Sequence, residues 1–154
     1  MILLVDADSL VFASCYKKRE TPDDERYFSD IADARNKFDE QFMAIVNRLE
    51  EIYNIEKVIT FNGSKGNFRK LLTNTYKANR KAAELPPLLN EMHKFVKQQY
   101  DSVYGYGVET DDMVARYWYK LSQELGRDNV MIVSIDKDYK QFPCLMYNYH
   151  YKHQ

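Results

Sequence analysis

Asp6 and Asp8 close an apolar run, Glu109, Asp111 and Asp112 stand at the start of a helical pattern, and Asp136 and Asp138 follow another apolar run. Carboxylates gathered in one crevice repel one another unless cations occupy it. An all-oxygen set without His or Cys suits Mg²⁺ or Mn²⁺, hard cations that keep several waters and bind substrate phosphates. One ion, or two about 4 Å apart, would support phosphodiester hydrolysis by activating water and stabilising the leaving oxygen. Taken singly, each cluster has an ordinary explanation: Asp111 or Asp112 capping a helix, Asp6 and Asp8 in a turn, Asp138 capping a last helix. Their recurrence at three equivalent places favours the metal reading.

The elements that must position these groups follow from hydrophobic periodicity. Met1 to Val5 is a continuous apolar run, as expected of a strand covered on both faces in a parallel sheet, and a helix is predicted from about Ser9. Phe38, Phe42, Ile45, Val46, Leu49 and Ile52 recur at helical spacing and predict a helix over 34–52. Lys57 to Phe61 predicts a strand broken by Asn62-Gly63, and Pro86-Pro87 opens a predicted helix through about Gln99. Gly105 and Gly107 read as turn residues before Glu109 to Asp112 and a helix over 113–125, with Gly126 as its C-cap. Val130 to Ser134 predicts a third strand, followed by a short helix and a last strand at Leu145 to Tyr149. Alternating strands and helices imply an α/β fold with a parallel sheet flanked by helices. In such sheets ligands bind outside the carboxyl ends of the strands, so one fold would gather all three acidic clusters.

A second feature is the window from Lys65 to Lys81, which holds Lys65, Arg69, Lys70, Lys77, Arg80 and Lys81 and no acidic residue. A solvated helix face is the ordinary reading of such a run. Beside an acidic metal site it also suits a phosphate backbone, with Phe68 and Tyr76 offering faces for base stacking. The whole chain has a net charge of −1, so polyanion binding must come from such a local patch.

At 154 residues with 45% hydrophobic content, the chain is expected to form one domain over 1–154. Cys15 and Cys144 are too few for a disulfide framework or a thiolate zinc site. The opening residues lack the charged and small-residue marks of a signal peptide, and no apolar stretch approaches the ~20 residues of a membrane span. A cytoplasmic protein, in the host cytoplasm were it phage-encoded, with no membrane partner is expected.

In order, the strand ending in Asp6, the segment Phe61 to Arg69, Tyr76-Lys-Ala-Asn-Arg80, Gly107-Val-Glu-Thr-Asp-Asp112 and Val133-Ser-Ile-Asp-Lys-Asp138 resemble the 5′ nucleases, which include phage flap endonucleases and the nuclease domain of bacterial DNA polymerase I. The resemblance implies a PIN-like domain with a central, mostly parallel sheet. It implies a divalent-metal-dependent 5′ nuclease acting on single-stranded or flapped DNA, or on RNA. Asp6, Glu109, Asp111, Asp112, Asp136 and Asp138 would form the metal cluster, and the role of Asp8 is less fixed by the family pattern. Lys77 and Arg80 would engage the reacting phosphate, and Tyr76 would stack on a base near the cut.

Two departures stand out. Where relatives carry an aspartate after the second strand this chain has Asn62, or Ser64 under a slightly shifted alignment; Asn62 is expected to serve as a metal ligand through its amide oxygen, which adds no negative charge and so weakens the site. The helix-hairpin-helix region that grips duplex DNA in relatives is expected to be absent, which implies weak duplex binding and a protein partner in its place. Two other readings are carried forward. One is a catalytically weak nuclease-like subunit that binds nucleic acid or a partner. The other is a haloacid-dehalogenase-like phosphatase, because Asp6 and Asp8 also fit a nucleophile and general-acid pair two residues apart.

Overall fold

The computed structural model describes residues 1–15, 30–65, 88–135, 139 and 143–149, with backbone alone at 64 and 65. Among these residues, β1 (Ile2–Asp6), β2 (Lys57–Lys65), β3 (Ser102–Glu109), β4 (Val130–Val133) and β5 (Leu145–Tyr147) form one sheet in the order β3-β2-β1-β4-β5. Every neighbouring pair is parallel. The helices are α1 (Asp8–Ser14), α2 (Ile31–Glu50), α3 (Leu89–Gln99) and α4 (Thr110–Leu125), with a short 3₁₀ turn at Arg127–Asn129.

The central strands are apolar on both sides because both sides are covered. Leu3 and Val5 of β1 and Met131 and Val133 of β4 pack with Leu10, Val11, Phe38, Leu49, Met92 and Val96 from α1, α2 and α3. Leu4 and Ile132 point the other way, onto Val114 and Trp118 of α4 and Phe61 of β2. Full burial of one such side chain contributes roughly 1.5–3 kcal/mol relative to exposure, so this two-sided core sets the sheet's position. The Asp30 side chain caps α2 by accepting the Asp33 N–H at 2.9 Å. Phe38 to Leu49 line the buried face of α2 as expected, but Ile52 lies past the helix end and is 59% exposed. The Gly126 N–H bonds the Ser122 carbonyl at the end of α4, with Gly126 at φ +94°.

The structure corrects three further expectations. Asn62-Gly63 does not end β2, which runs on to Lys65 because β3 pairs with it, Asn62 opposite Tyr104 and Gly63 opposite Gly105. Gly105 and Gly107 are not a turn but lie inside β3, an edge strand that periodicity missed. The last strand stops at Tyr147 rather than Tyr149.

Between Gly63–Gly105 and Lys65–Glu109, β2 advances two residues and β3 four. This bulge needs Gly107 at φ +70° and swings the end of β3 into the start of α4. The chain moves outward from β1 through β2 to β3 and then returns to the far side of β1 for β4. That reversal opens a crevice at the carboxyl ends of the strands, where β1 finishes with Asp6.

Candidate metal centre

The Ala7 N–H donates to the Phe61 carbonyl at 2.8 Å and ties the exit of β1 to β2, so α1 starts at once with Asp8. The result is a pair of buried carboxyls, Asp6 at 8% exposure and Asp8 at 5%. Asp6 Oδ1 accepts the Asp8 N–H at 3.3 Å, Asp6 Oδ2 accepts the Tyr139 hydroxyl at 2.7 Å, and Asp8 Oδ1 accepts the Gly63 N–H at 3.3 Å. Burial, and next the negative charge of Asp6, push the Asp8 carboxyl up to about 8. The Thr110 hydroxyl and the Gly63 N–H oppose this, and the charge of Asp111 adds to it.

Asp111 and Thr110 belong to the second acidic group. Glu109 is the extended residue before α4, and Asp111 and Asp112 lie in its first turn, where the positive end of the helix dipole favours carboxylates. Asp111 Oδ1 accepts the Asp112 N–H at 2.9 Å. One carboxylate oxygen from each of Glu109, Asp111 and Asp112 lies within 4.8 Å of the others. Glu109 and Asp112 are exposed and Asp111 is half-buried.

Close approach of backbone brings this group to the first. A Cβ on Gly63 would lie 3.0 Å from the Gly105 carbonyl oxygen and 3.3 Å from the Thr110 hydroxyl, and one on Gly105 would collide with the Met113 side chain at 2.6 Å. Glycine at both positions lets the start of α4 settle over the end of β2. Asp8 thus stands close enough to Asp111 to feel its charge, and the carboxylates within ligand distance of one another are Glu109, Asp111 and Asp112. The donor set is all carboxylate, which fits a hard divalent cation and not a thiolate or imidazole metal.

Asn62 sits apart. It is fully buried, its Nδ2 donates to Ser102 Oγ at 3.3 Å, and its Oδ1 has no hydrogen bond among the described residues. The amide nitrogen thus reaches the residue opposite Thr60, two positions earlier on β2. Asp136, Asp138, Arg69, Lys70, Tyr76, Lys77, Arg80 and Lys81 lie outside the described residues, as does the side chain of Lys65. The Lys65 backbone pairs with Glu109, so the basic run starts in register with the exposed acidic group.

Sequence reasoning missed Tyr139, Thr110 and Gly63. Only Gly63 left a signal, an isolated glycine where a strand continues. His93 is a core residue, with an edge-to-face contact to Tyr104 at 5.8 Å and an imidazole that burial pushes down to about 4. Burial chiefly, then Tyr106 and Asp8, raises the Tyr104 phenol. Among the described residues no helix is long and apolar enough to cross a membrane.

The chain is 35% identical over 101 residues to a 5′-3′ exonuclease of Buchnera aphidicola subsp. Schizaphis graminum, a match covering 61% of this chain and 33% of the relative. The matched region thus spans about a third of the curated relative's length. Two solved structures are similar: a bacteriophage T5 flap endonuclease with DNA and metal ions, at 20% identity, and T5 5′-exonuclease with bound zinc, at 23%. Each likeness covers 90% of this chain and 50% of the other, with a TM-score of 0.48. The family model described as the 5′-3′ exonuclease, N-terminal resolvase-like domain matches residues 1–150, and the chain belongs to that family.

Proposed function

We propose that residues 1–154 form one catalytic domain of a divalent-metal-dependent 5′ nuclease that hydrolyses phosphodiester bonds in single-stranded or flapped DNA, or in RNA, in the cytoplasm. The observation that carries this reading is the buried Asp6–Asp8 pair at the carboxyl edge of a parallel sheet, with Asp8 within reach of the charge of Asp111, in a chain of the 5′-3′ exonuclease family. Asp6, Asp8, Glu109, Asp111 and Asp112, joined by Asp136 and Asp138, would hold Mg²⁺ or Mn²⁺, as one ion or two. Such an ion, when bound, supplies an activated water and charge neutralisation at the leaving oxygen.

The remaining work falls to the chain itself. Asp6 and Asp8, shielded from solvent, keep their oxygens fixed by the Tyr139 hydroxyl and the Asp8 and Gly63 N–H groups. Lys77 and Arg80 are assigned to the phosphate at the cut, where fixed positive charge favours developing negative charge. Lys65, Arg69, Lys70 and Lys81 are assigned to neighbouring phosphates, and Tyr76 to a base. The register of Lys65 with Glu109 supports this, because the basic run begins at the acidic group. A protein partner supplying duplex contacts is part of the same proposal. The phosphatase reading is set aside, since it leaves the Glu109 to Asp112 group without a role.

The test is cleavage of end-labelled single-stranded and flapped oligonucleotides, of DNA and of RNA, with Mg²⁺, Mn²⁺ or a chelator. Products are expected with either metal, none with chelator, and none from the double variant Asp111→Asn, Asp136→Asn. Cleavage that survives chelation would overturn the metal dependence. Binding without cleavage under every metal condition would replace the enzyme by a nucleic-acid-binding subunit.

A further inference from the structure

The hydroxyl of Tyr139 reaches Asp6 from the opposite side of the sheet to α1. Its ring is 1% exposed and packs among Leu4, Phe61, Val114, Trp118 and Ile132, the apolar layer beneath α4. A phenol in such a layer must place its hydroxyl on a polar partner, and here that partner is Asp6 Oδ2 at 2.7 Å. The backbone is held as well, because the Cys144 thiol donates to the Tyr139 carbonyl oxygen at 3.4 Å. A rigid ring gripped on all sides sets the position of its oxygen far more tightly than a flexible polar chain would.

We propose that Tyr139 is a positioning residue for the metal centre, whose hydroxyl fixes the plane of the Asp6 carboxylate and so raises the affinity of the acidic crevice for a divalent cation. The inference rests on the metal-dependent reading given above. A carboxylate has two oxygens and about four acceptor directions. The Tyr139 hydroxyl takes one direction on Oδ2 and the Asp8 N–H one on Oδ1, so rotation of the group is blocked from both ends. Outer hydrogen bonds of this kind orient ligating carboxylates, and losing one lowers metal affinity about 10–100-fold.

The experiment uses the full chain and Mn²⁺ alone, without nucleic acid. Tyr139→Phe keeps the ring in its apolar layer and removes only the hydroxyl. Isothermal titration of Mn²⁺ is expected to give a dissociation constant about 10-fold or more higher than wild type, while the metal-free melting temperature moves by only a few degrees. An unchanged dissociation constant with a lowered metal-free melting temperature would make Tyr139 a packing residue and overturn the inference. A double-mutant cycle adds a second readout. In the Asp6→Asn background Tyr139→Phe should alter Mn²⁺ affinity by less than about two-fold, since the hydroxyl acts through Asp6. Simple addition of the two effects would overturn the proposal. If wild-type protein binds no Mn²⁺ at all, the metal reading itself fails and the role of Tyr139 fails with it.

Discussion

Asp6 and Asp8 have the same chemistry as Glu109 and Asp112 and the opposite surroundings. The first two are buried between β1, α1 and the end of β2, whereas the other two face solvent at the start of α4. Asp111, half-buried, joins the groups, because its charge is felt at Asp8. Water screens like-charge repulsion between the exposed carboxylates, while the buried pair feels it in a medium of much lower effective dielectric. Asp8 shows the consequence in its protonation, its carboxyl pushed up to about 8 by burial and then by the charge of Asp6. The protein therefore sets the charge of Asp8.

The largest effect should come from removing inner ligands. Asp6→Asn is expected to lower the cleavage rate by about 100-fold or more, and Glu109→Gln by about 10-fold, the latter recovering as Mg²⁺ is raised. Rates of both variants across a Mg²⁺ titration check this, and the reverse ranking would break the distinction between inner and outer carboxylates.

Next in size is a pH effect on the metal-free protein. The Asp8 carboxyl has a folded value near 8 and an ordinary value of 3.8. Between those values the folded chain keeps a proton that the unfolded chain has lost. Its stability contribution is therefore greatest below the ordinary carboxylate range, falls as pH rises toward 8, and levels off above it. At about 1.4 kcal/mol for each pH unit of separation, the change is on the order of a few kcal/mol. Chemical denaturation with chelator from pH 5 to 9 should show the decline, and Asp8→Asn should flatten it. A decline of equal size in Asp8→Asn would assign the titration to another group.

Asn62→Asp extends the comparison by adding a third buried carboxyl. With no exposure and one hydrogen bond, to Ser102, a charge there is poorly compensated. The metal-free melting temperature is expected to fall by about 5 °C, from roughly 2 kcal/mol of destabilisation. Added Mn²⁺ should then raise it by more than in wild type. A variant as stable as wild type without metal, and no more responsive to Mn²⁺, would place residue 62 outside the reach of any cation. The smallest effect belongs to Asp112→Asn, an exposed change that should alter metal-free stability by no more than about 0.5 kcal/mol. A larger shift in its melting curve would show that the outer group is less screened than its exposure implies.

Much of this was legible in one dimension. The apolar runs of β1 and β4, the helical repeat from Phe38 to Leu49, and the helix over 113–125 with Gly126 as its cap announce themselves because period and composition are local properties. So does the parallel α/β class, and with it the expectation that Asp6, Asp8 and the Glu109 to Asp112 group share one edge. The strand β3 was not legible: Gly105 and Gly107 look like a turn, and only pairing with β2 makes that segment a strand with a bulge. The continuation of β2 through Asn62-Gly63 has the same cause, a neighbour that satisfies the backbone groups.

Burial also waited for the fold. Nothing in an Asp-Ala-Asp triplet says that both carboxyls lie out of solvent, that one is driven toward neutrality by burial and then by the charge of the other, or that a tyrosine 133 residues away holds the first in place. The sequence by itself determined which side chains could carry this chemistry and the elements that would deliver most of them. The tertiary structure decided their exposure, spacing and hydrogen-bond partners, because desolvation and Coulomb repulsion depend on distances in space that chain order does not contain.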